Sequence, residues 1–280
     1  MRIETPCFRW SAAVLAILPL AGYAEDPGGR ASPWEGSPLP ASLAQNTASI
    51  SSPPGAATIH FSGYTFEVRS GTGGPGPNRW SNQNVWVDAH GYLHLKLANN
   101  DGKWSAAEIY TTQAFGYGTF QFKIIGQLET LNQNVVLGLF TYPVPAVGPD
   151  GTNEIDIEFS RWGGRQANEG NWTIWPAVQG SADETKSFDA GPNAGLSTHR
   201  FRWTANRIAF QALSGLVDDD AGQYASWTFA PSQPLTHIPQ SSSPLHMNLW
   251  LYQGLVPSDG KEAEVVISEF KYVPEARAAF

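Results

Sequence analysis

The chain has little cysteine: a single residue, Cys7, in 280. Because Cys7 falls inside a segment that reads as a cleaved leader, the mature protein is expected to contain none. That excludes a disulfide framework, a cysteine zinc site and a thiol nucleophile. Charge is also sparse, at 15% of residues, and the formal net charge is −8. An acidic chain is poorly suited to nucleic acid or to anionic membrane surfaces, and well suited to a neutral polymer. Sustained helical periodicity, internal repeats, Gly-rich phosphate loops, dinucleotide fingerprints and clustered histidine metal motifs are all missing.

The longest apolar run lies at the start. Arg2 and Arg9 supply positive charge, Ser11 to Leu20 an apolar core and Ala21-Gly22-Tyr23-Ala24 a small-residue cleavage site, so residues 1–24 read as a secretory signal. The run is too short to span a bilayer and Pro19 interrupts it. A secreted protein, extracellular or periplasmic, is therefore expected, with no membrane attachment after cleavage. Removing two Arg and one Glu takes the formal charge from −8 to −9. Residues 25–57, rich in Pro, Ser, Gly and Ala, read as a disordered linker. From residue 58 to 275, short alternating runs are divided by Gly, Pro and Asn turns, the pattern of an antiparallel β-sandwich. Residues 276–280 form a tail. The expected architecture is all-β, two antiparallel sheets with a concave cleft, in a monomer.

One run is chemically unusual. In Glu154-Ile155-Asp156-Ile157-Glu158-Phe159, three acids alternate with Ile155, Ile157 and Phe159, so on a strand all three carboxylates share one face. Strands are depleted in acids, and like charges on one face repel. Glu154 and Glu158 would have Cα atoms roughly 13 Å apart. Leaning inward, their carboxylates can approach the about 5–5.5 Å separation of a retaining glycosidase, with Asp156 between them coupling their titrations. The alternatives are a solvated acidic face and a metal site, and a straight row of carboxylates cannot wrap a cation unaided.

Neighbouring runs carry rings and amides where an ordinary solvent face would carry Lys, Thr and Ser. Asn134, Gly138, Phe140 and Tyr142 alternate with Val135, Leu137 and Leu139. His246, Asn248, Trp250 and Tyr252 alternate with Leu245, Met247, Leu249 and Leu251. Rings stack on pyranose faces and amides read hydroxyls, so Phe140, Tyr142, Asn248 and Trp250 are candidate substrate contacts. Trp162, beyond the acidic strand, Asn78, in the loop from Gly73 to Trp80, and Trp175, on the run from Asn171, are further candidates. Asp218-Asp219-Asp220 reads as a solvated turn, and His199 as a hydrogen-bonded structural histidine.

Asn153 to Phe159 resembles the catalytic signature of glycoside hydrolase family 16. The uninterrupted Glu-x-Asp-x-Glu is similar to its lichenase and xyloglucan-transglycosylase branches, whereas laminarinase-like and agarase-like members carry one more residue. Phe115 to Phe120, Phe140-Thr141-Tyr142, Thr198 to Phe201 with Trp203, and Met247-Asn248-Leu249-Trp250 extend the resemblance in the family's order. It implies a jelly roll and hydrolysis of β-glucan (β-1,3-1,4- or β-1,3-linked) with retention. Glu154 would be the nucleophile, Glu158 the acid/base and Asp156 the residue that tunes Glu154. No cofactor is required. Some members carry a structural calcium, for which the Gly91 carbonyl and Glu269 would be the ligands here. Glu269 replaces an Asp common in lichenases, which argues against the ion. Two alternatives stay open: a transglycosylase on β-glucan or xyloglucan, and a non-catalytic polysaccharide-binding protein.

Overall fold

The computed structural model describes residues 52–191 and 195–275. The leader, residues 25–51 of the linker and the tail lie outside them. One sheet contains eight strands in the spatial order β1 (Thr58–Phe61), β2 (Tyr64–Val68), β8 (Ala107–Phe115), β17 (Ser243–Leu251), β10 (Val135–Thr141), β11 (Glu154–Phe159), β12 (Gly170–Trp175) and β13 (Glu184–Phe188). The other runs β16 (Gln223–Phe229), β15 (Ile208–Ser214), β14 (Leu196–Trp203), β9 (Gly118–Ile125), β18 (Ala263–Pro274), β6 (Leu93–Asn100) and β5 (Val85–Val87), with β7 (Lys103–Ser105) paired to β6. A two-stranded ribbon joins β3 (Gly71–Gly73) to β4 (Asn78–Trp80). Every pairing between named strands is antiparallel, and the architecture is a jelly-roll β-sandwich.

Period-two alternation drives the packing. Leu137, Leu139, Ile155, Ile157, Phe159, Met247 and Leu249 are fully buried in one core with Phe120, Phe122, Phe201, Trp203 and Phe210 of the facing sheet. Burying such side chains stabilises by roughly 1.5–3 kcal/mol each. A one-residue slip of β11 would turn its three acids into this core, so the core fixes which face carries the carboxylates.

One expectation changes here. Residues 52–57 belong to the ordered fold: Ser52 pairs with Val87, and the Gly55 amide donates to Asn82 O at 2.9 Å. The acid run 218–220 is the exposed turn expected, and it also meets cations from other strands. Asp218 contacts Lys123 and Lys271, and Asp220 lies 3.2 Å from Arg200, so strands β9, β14 and β18 supply cations that the local sequence does not contain. Lys123 also takes Glu269 at 2.7 Å, so the candidate calcium ligand is already neutralised by an ammonium. Among the described residues, no group of three or more His, Cys, Asp or Glu has the arrangement to hold a metal. No described helix is long and apolar enough to cross a membrane.

Candidate active site

The outer face of the β1–β13 sheet is organised as rows running across the strands. One row reads Tyr110, His246, Phe140, Asp156, Thr173 and Thr185, and the next Glu108, Asn248, Gly138, Glu158, Asn171 and Ser187. A cleft of about 780 Å³ lies over the part of these rows from β2 to β11. Glu154, Asp156 and Glu158 line it together with Phe140, Tyr142, Asn248 and Trp250. Seven of the ten residues singled out from the sequence thus converge on one cavity.

The loop 142–153 builds one wall. Tyr142 donates from its hydroxyl to Asp150 Oδ1 at 2.7 Å, and Thr152 from Oγ1 to Pro149 O at 2.7 Å. Asn153 closes the loop at φ 54°, a left-handed conformation that Asn tolerates better than most residues. Its amide hydrogen bond to Pro176 O then leads directly into β11.

The three acids differ in their surroundings. Glu154 and Asp156 are 2% and 3% exposed, while Glu158 is more open to the cleft. Burial, reinforced by Asp156 and Glu158, pushes the Glu154 carboxyl well above its ordinary range. Burial also lifts Asp156 to about 7, against bonds from Glu154 and Trp175 that favour its charged form. Glu158 is raised by burial and then by the charge of Asp156. Asp156 Oδ2 accepts from Trp175 Nε1 at 2.9 Å. A bond between neighbouring carboxyls needs one proton, so Glu154 and Asp156 act as a pair that retains a proton at pH values where free carboxyls have lost theirs. Such a strand can present one anion for attack and one neutral acid for protonation, the division of labour that two-carboxylate sugar chemistry requires.

Asn248 is buried, and its Oδ1 finds no hydrogen-bond partner among the described residues. Across the row its neighbour is Gly138, and the Asn248 amide packs into the place a side chain would take there: a Cβ would lie 2.5 Å from Oδ1. Oδ1 itself is shielded from solvent, so a ligand hydroxyl would reach it only after the amide turns.

The other three candidates sit differently. Trp162 lies outside the cleft lining; the turn after β11 holds it at φ 50° with its ring 6.4 Å from Trp250 and 5.6 Å from Tyr252, where it braces those rings. Asn78 is a structural tie: Nδ2 donates to Pro75 O and Leu251 O, and Oδ1 accepts from Leu251 N. It seats the Gly74-Pro75 rim of the cleft rather than meeting a ligand. Trp175 also lies outside the lining, and its indole holds Asp156.

Sequence reasoning missed Arg69, Glu108, Tyr110 and Asp150, all of which line the cleft. Alternation on β8 places Glu108 and Tyr110 on the same face as the acids, a signal that was available. Arg69 bonds Glu108 from 39 positions away, which no local pattern reveals. Burial alone would raise Glu108, but His246 and Arg69 outweigh it and hold the carboxyl below its ordinary range.

His199 is fully buried beneath this sheet, as expected of a structural residue, but neither ring nitrogen has a hydrogen-bond partner among the described residues. It packs edge-on against Phe159 at 4.7 Å.

Solved structures share this architecture. A Bacillus licheniformis β-glucanase superposes with a TM-score of 0.57 at 22% identity, over 82% of this chain and 100% of that one. A β-1,3-1,4-glucanase (lichenase) from a mouse hindgut metagenome gives 0.55 at 22% identity, over 80% and 98%. A Mycobacterium tuberculosis protein described as an immunostimulatory antigen and pseudo β-1,3-glucanase gives 0.58 at 19% identity, over 80% and 94%. At these identities the likeness establishes the fold. No curated protein matches the sequence. The family model for glycosyl hydrolases family 16 matches residues 77–263, a span that contains all three acids, and the chain belongs to that family.

Proposed function

We propose that the protein is a secreted, monomeric retaining endo-glycosidase that hydrolyses β-1,3-1,4- or β-1,3-linked glucan by double displacement. Glu154 attacks the anomeric carbon and forms a glycosyl-enzyme, while Glu158 protonates the departing oxygen. Glu158 then takes a proton from water, which releases the sugar with its configuration retained. Asp156 shares a proton with Glu154 and frees it as the nucleophile. Phe140, Tyr142 and Trp250 offer ring faces to the chain and Asn248 an amide. The observation that carries this reading is the convergence of three carboxyls with raised proton affinity on one strand of an aromatic-lined cleft.

The test is release of reducing ends from barley β-glucan, laminarin, xyloglucan and agarose by the wild type and by Glu154→Ala. Activity on a β-glucan that the substitution abolishes supports the proposal. Activity confined to agarose contradicts the substrate class, and glycosyl transfer to an added acceptor in preference to water identifies a transglycosylase. A second reading has one specific motive, the pseudo-β-1,3-glucanase description of one structural neighbour. On that reading the cleft binds polysaccharide equally well with or without Glu154 and cuts none.

A further inference from the structure

The cleft holds a second charged assembly that the hydrolytic mechanism leaves unused. On β17, His246 sits between its cross-strand neighbours Tyr110 of β8 and Phe140 of β10. The imidazole stacks on Tyr110 with centroids 5.2 Å apart and planes at 20°, and lies 5.2 Å from Phe140 at 30°. Its Nδ1 meets Glu108 Oε1 at 2.9 Å, and the other oxygen of Glu108 accepts from Arg69 Nη1 at 2.6 Å. Glu108 is 4% exposed, so both its oxygens are engaged inside the protein.

This chain of contacts fixes the chemistry of the ring. Contact with a carboxylate oxygen requires a proton on Nδ1, so the neutral imidazole offers Nε2 as an acceptor. Nε2 makes no hydrogen bond among the described residues, and the side chain keeps 15% exposure in the cleft lining. A buried ionic cluster adds little stability that apolar residues of the same shape would not supply. An oriented acceptor between two aromatic rings is, in contrast, what a hydroxyl-rich ring in a cleft requires.

We propose that His246 Nε2 accepts a hydrogen bond from a glucosyl hydroxyl remote from the scissile bond, and that Glu108 and Arg69 are positioning residues that fix its tautomer. Phe140 separates His246 from Asp156 across the strands, which places the ring about two strand spacings, roughly 10 Å, from the acids. The sugar it reads therefore lies beyond the unit being transferred. This assignment rests on the β-glucan reading above and specifies how the cleft holds its substrate.

The test combines a spectroscopic and a kinetic arm. The ¹⁵N-labelled protein carrying Glu154→Gln, which stops turnover, is titrated with a mixed-linkage β-glucan tetrasaccharide and with laminaritetraose. The expected free state is the Nδ1-protonated tautomer of His246, with an Nε2 resonance that moves on saturation by at least one of the two sugars. Glu108→Gln is expected to mix the tautomers. In the active enzyme, His246→Phe keeps the ring stack and removes both nitrogens. It is expected to raise KM for the polymer about tenfold, the equivalent of one hydrogen bond, with a much smaller change in kcat. His246→Gln should recover part of the loss. An Nε2 resonance that stays put while a tetrasaccharide binds, or an unchanged KM in a folded His246→Phe, overturns the assignment. Binding that moves the resonance in a protein whose wild type cuts no glucan supports His246 and overturns hydrolysis. Absence of both binding and hydrolysis overturns both.

Discussion

Trp175 Nε1 donates to Asp156 Oδ2 across 2.9 Å, from the C-terminal end of β12 onto the middle acid of β11. In register, Asp156 faces Thr173, so the indole reaches back along the diagonal to a residue two positions away. The bond favours the ionised form of a carboxyl that burial otherwise holds at about 7. Trp175→Phe keeps the ring and removes the donor. Asp156 is then expected to titrate above 7, because a hydrogen bond to its charged form has been lost. At alkaline pH a buried oxygen left without its donor should cost about 1–3 kcal/mol. A ¹³C carboxyl titration and urea unfolding at pH 8 measure the two effects, and an unmoved Asp156 titration would contradict them.

The same carboxyl makes stability depend on pH with a definite sign. Its folded pKa, about 7, lies above the ordinary 3.8, so between those values the folded protein binds more protons than the unfolded chain. Stability from this group is present at low pH and is lost as pH rises through the window. Asp156→Asn keeps an acceptor for Trp175 and abolishes the titration. The melting temperature of the variant minus that of the wild type should increase between pH 5 and pH 8 by at least a few degrees. A difference that is flat over this range contradicts the raised pKa.

Gly138 is required by close approach rather than by backbone angle. A Cβ there would lie 2.5 Å from Asn248 Oδ1 and 3.3 Å from the Phe140 ring. Gly138→Ala must therefore displace the Asn248 amide or the β10 backbone, at a cost of roughly 1–3 kcal/mol for an overpacked site. Because Asn248 and Glu158 are the row neighbours of Gly138, KM for glucan should rise together with the loss of stability. Kinetics and urea unfolding on the same variant test the pairing of the two effects. Loss of stability with an unaltered KM would separate Asn248 from the substrate.

What the sequence disclosed is what a single strand encodes. Period-two alternation assigned the faces of β10, β11 and β17, and with them the three acids, Phe140, Tyr142, Asn248 and Trp250. What it withheld are relationships between strands. Asn78 is a residue type suited to sugar binding, yet its amide is consumed by Leu251, 173 positions away. Trp175 looks like a stacking platform and serves Asp156 through its nitrogen, because the β11–β12 register brings them together. The Arg69–Glu108–His246 assembly joins strands β8 and β17 to the segment just after β2, through partners 39 and 138 positions apart. Asp218 is exposed, as its local sequence implies, but the ion pairs with Lys123 and Lys271 that β9 and β18 bring to it are not visible there.

His199 offers the clearest separation of structural from functional burial. Its ring lies between the sheets against Phe159 and Phe188, both nitrogens lack partners among the described residues, and burial depresses its pKa to about 3. The unfolded chain protonates this residue near 6.5, so the unfolded state binds the extra proton and stability is lost as pH falls from about 6.5 toward 3. This sign is opposite to that of Asp156. His199→Leu replaces two unsatisfied nitrogens with apolar atoms of similar volume, an exchange that is neutral or stabilising when both partners of a hydrogen bond are already missing. The variant should melt no lower than the wild type at pH 7 and higher than it at pH 4.5, with activity on glucan within about twofold, since the ring faces the core rather than the cleft. Calorimetry at the two pH values decides it. A variant that melts lower at both would mean that the imidazole is held by a bond, and the acid sensitivity of the fold would then have to come from the carboxylates alone.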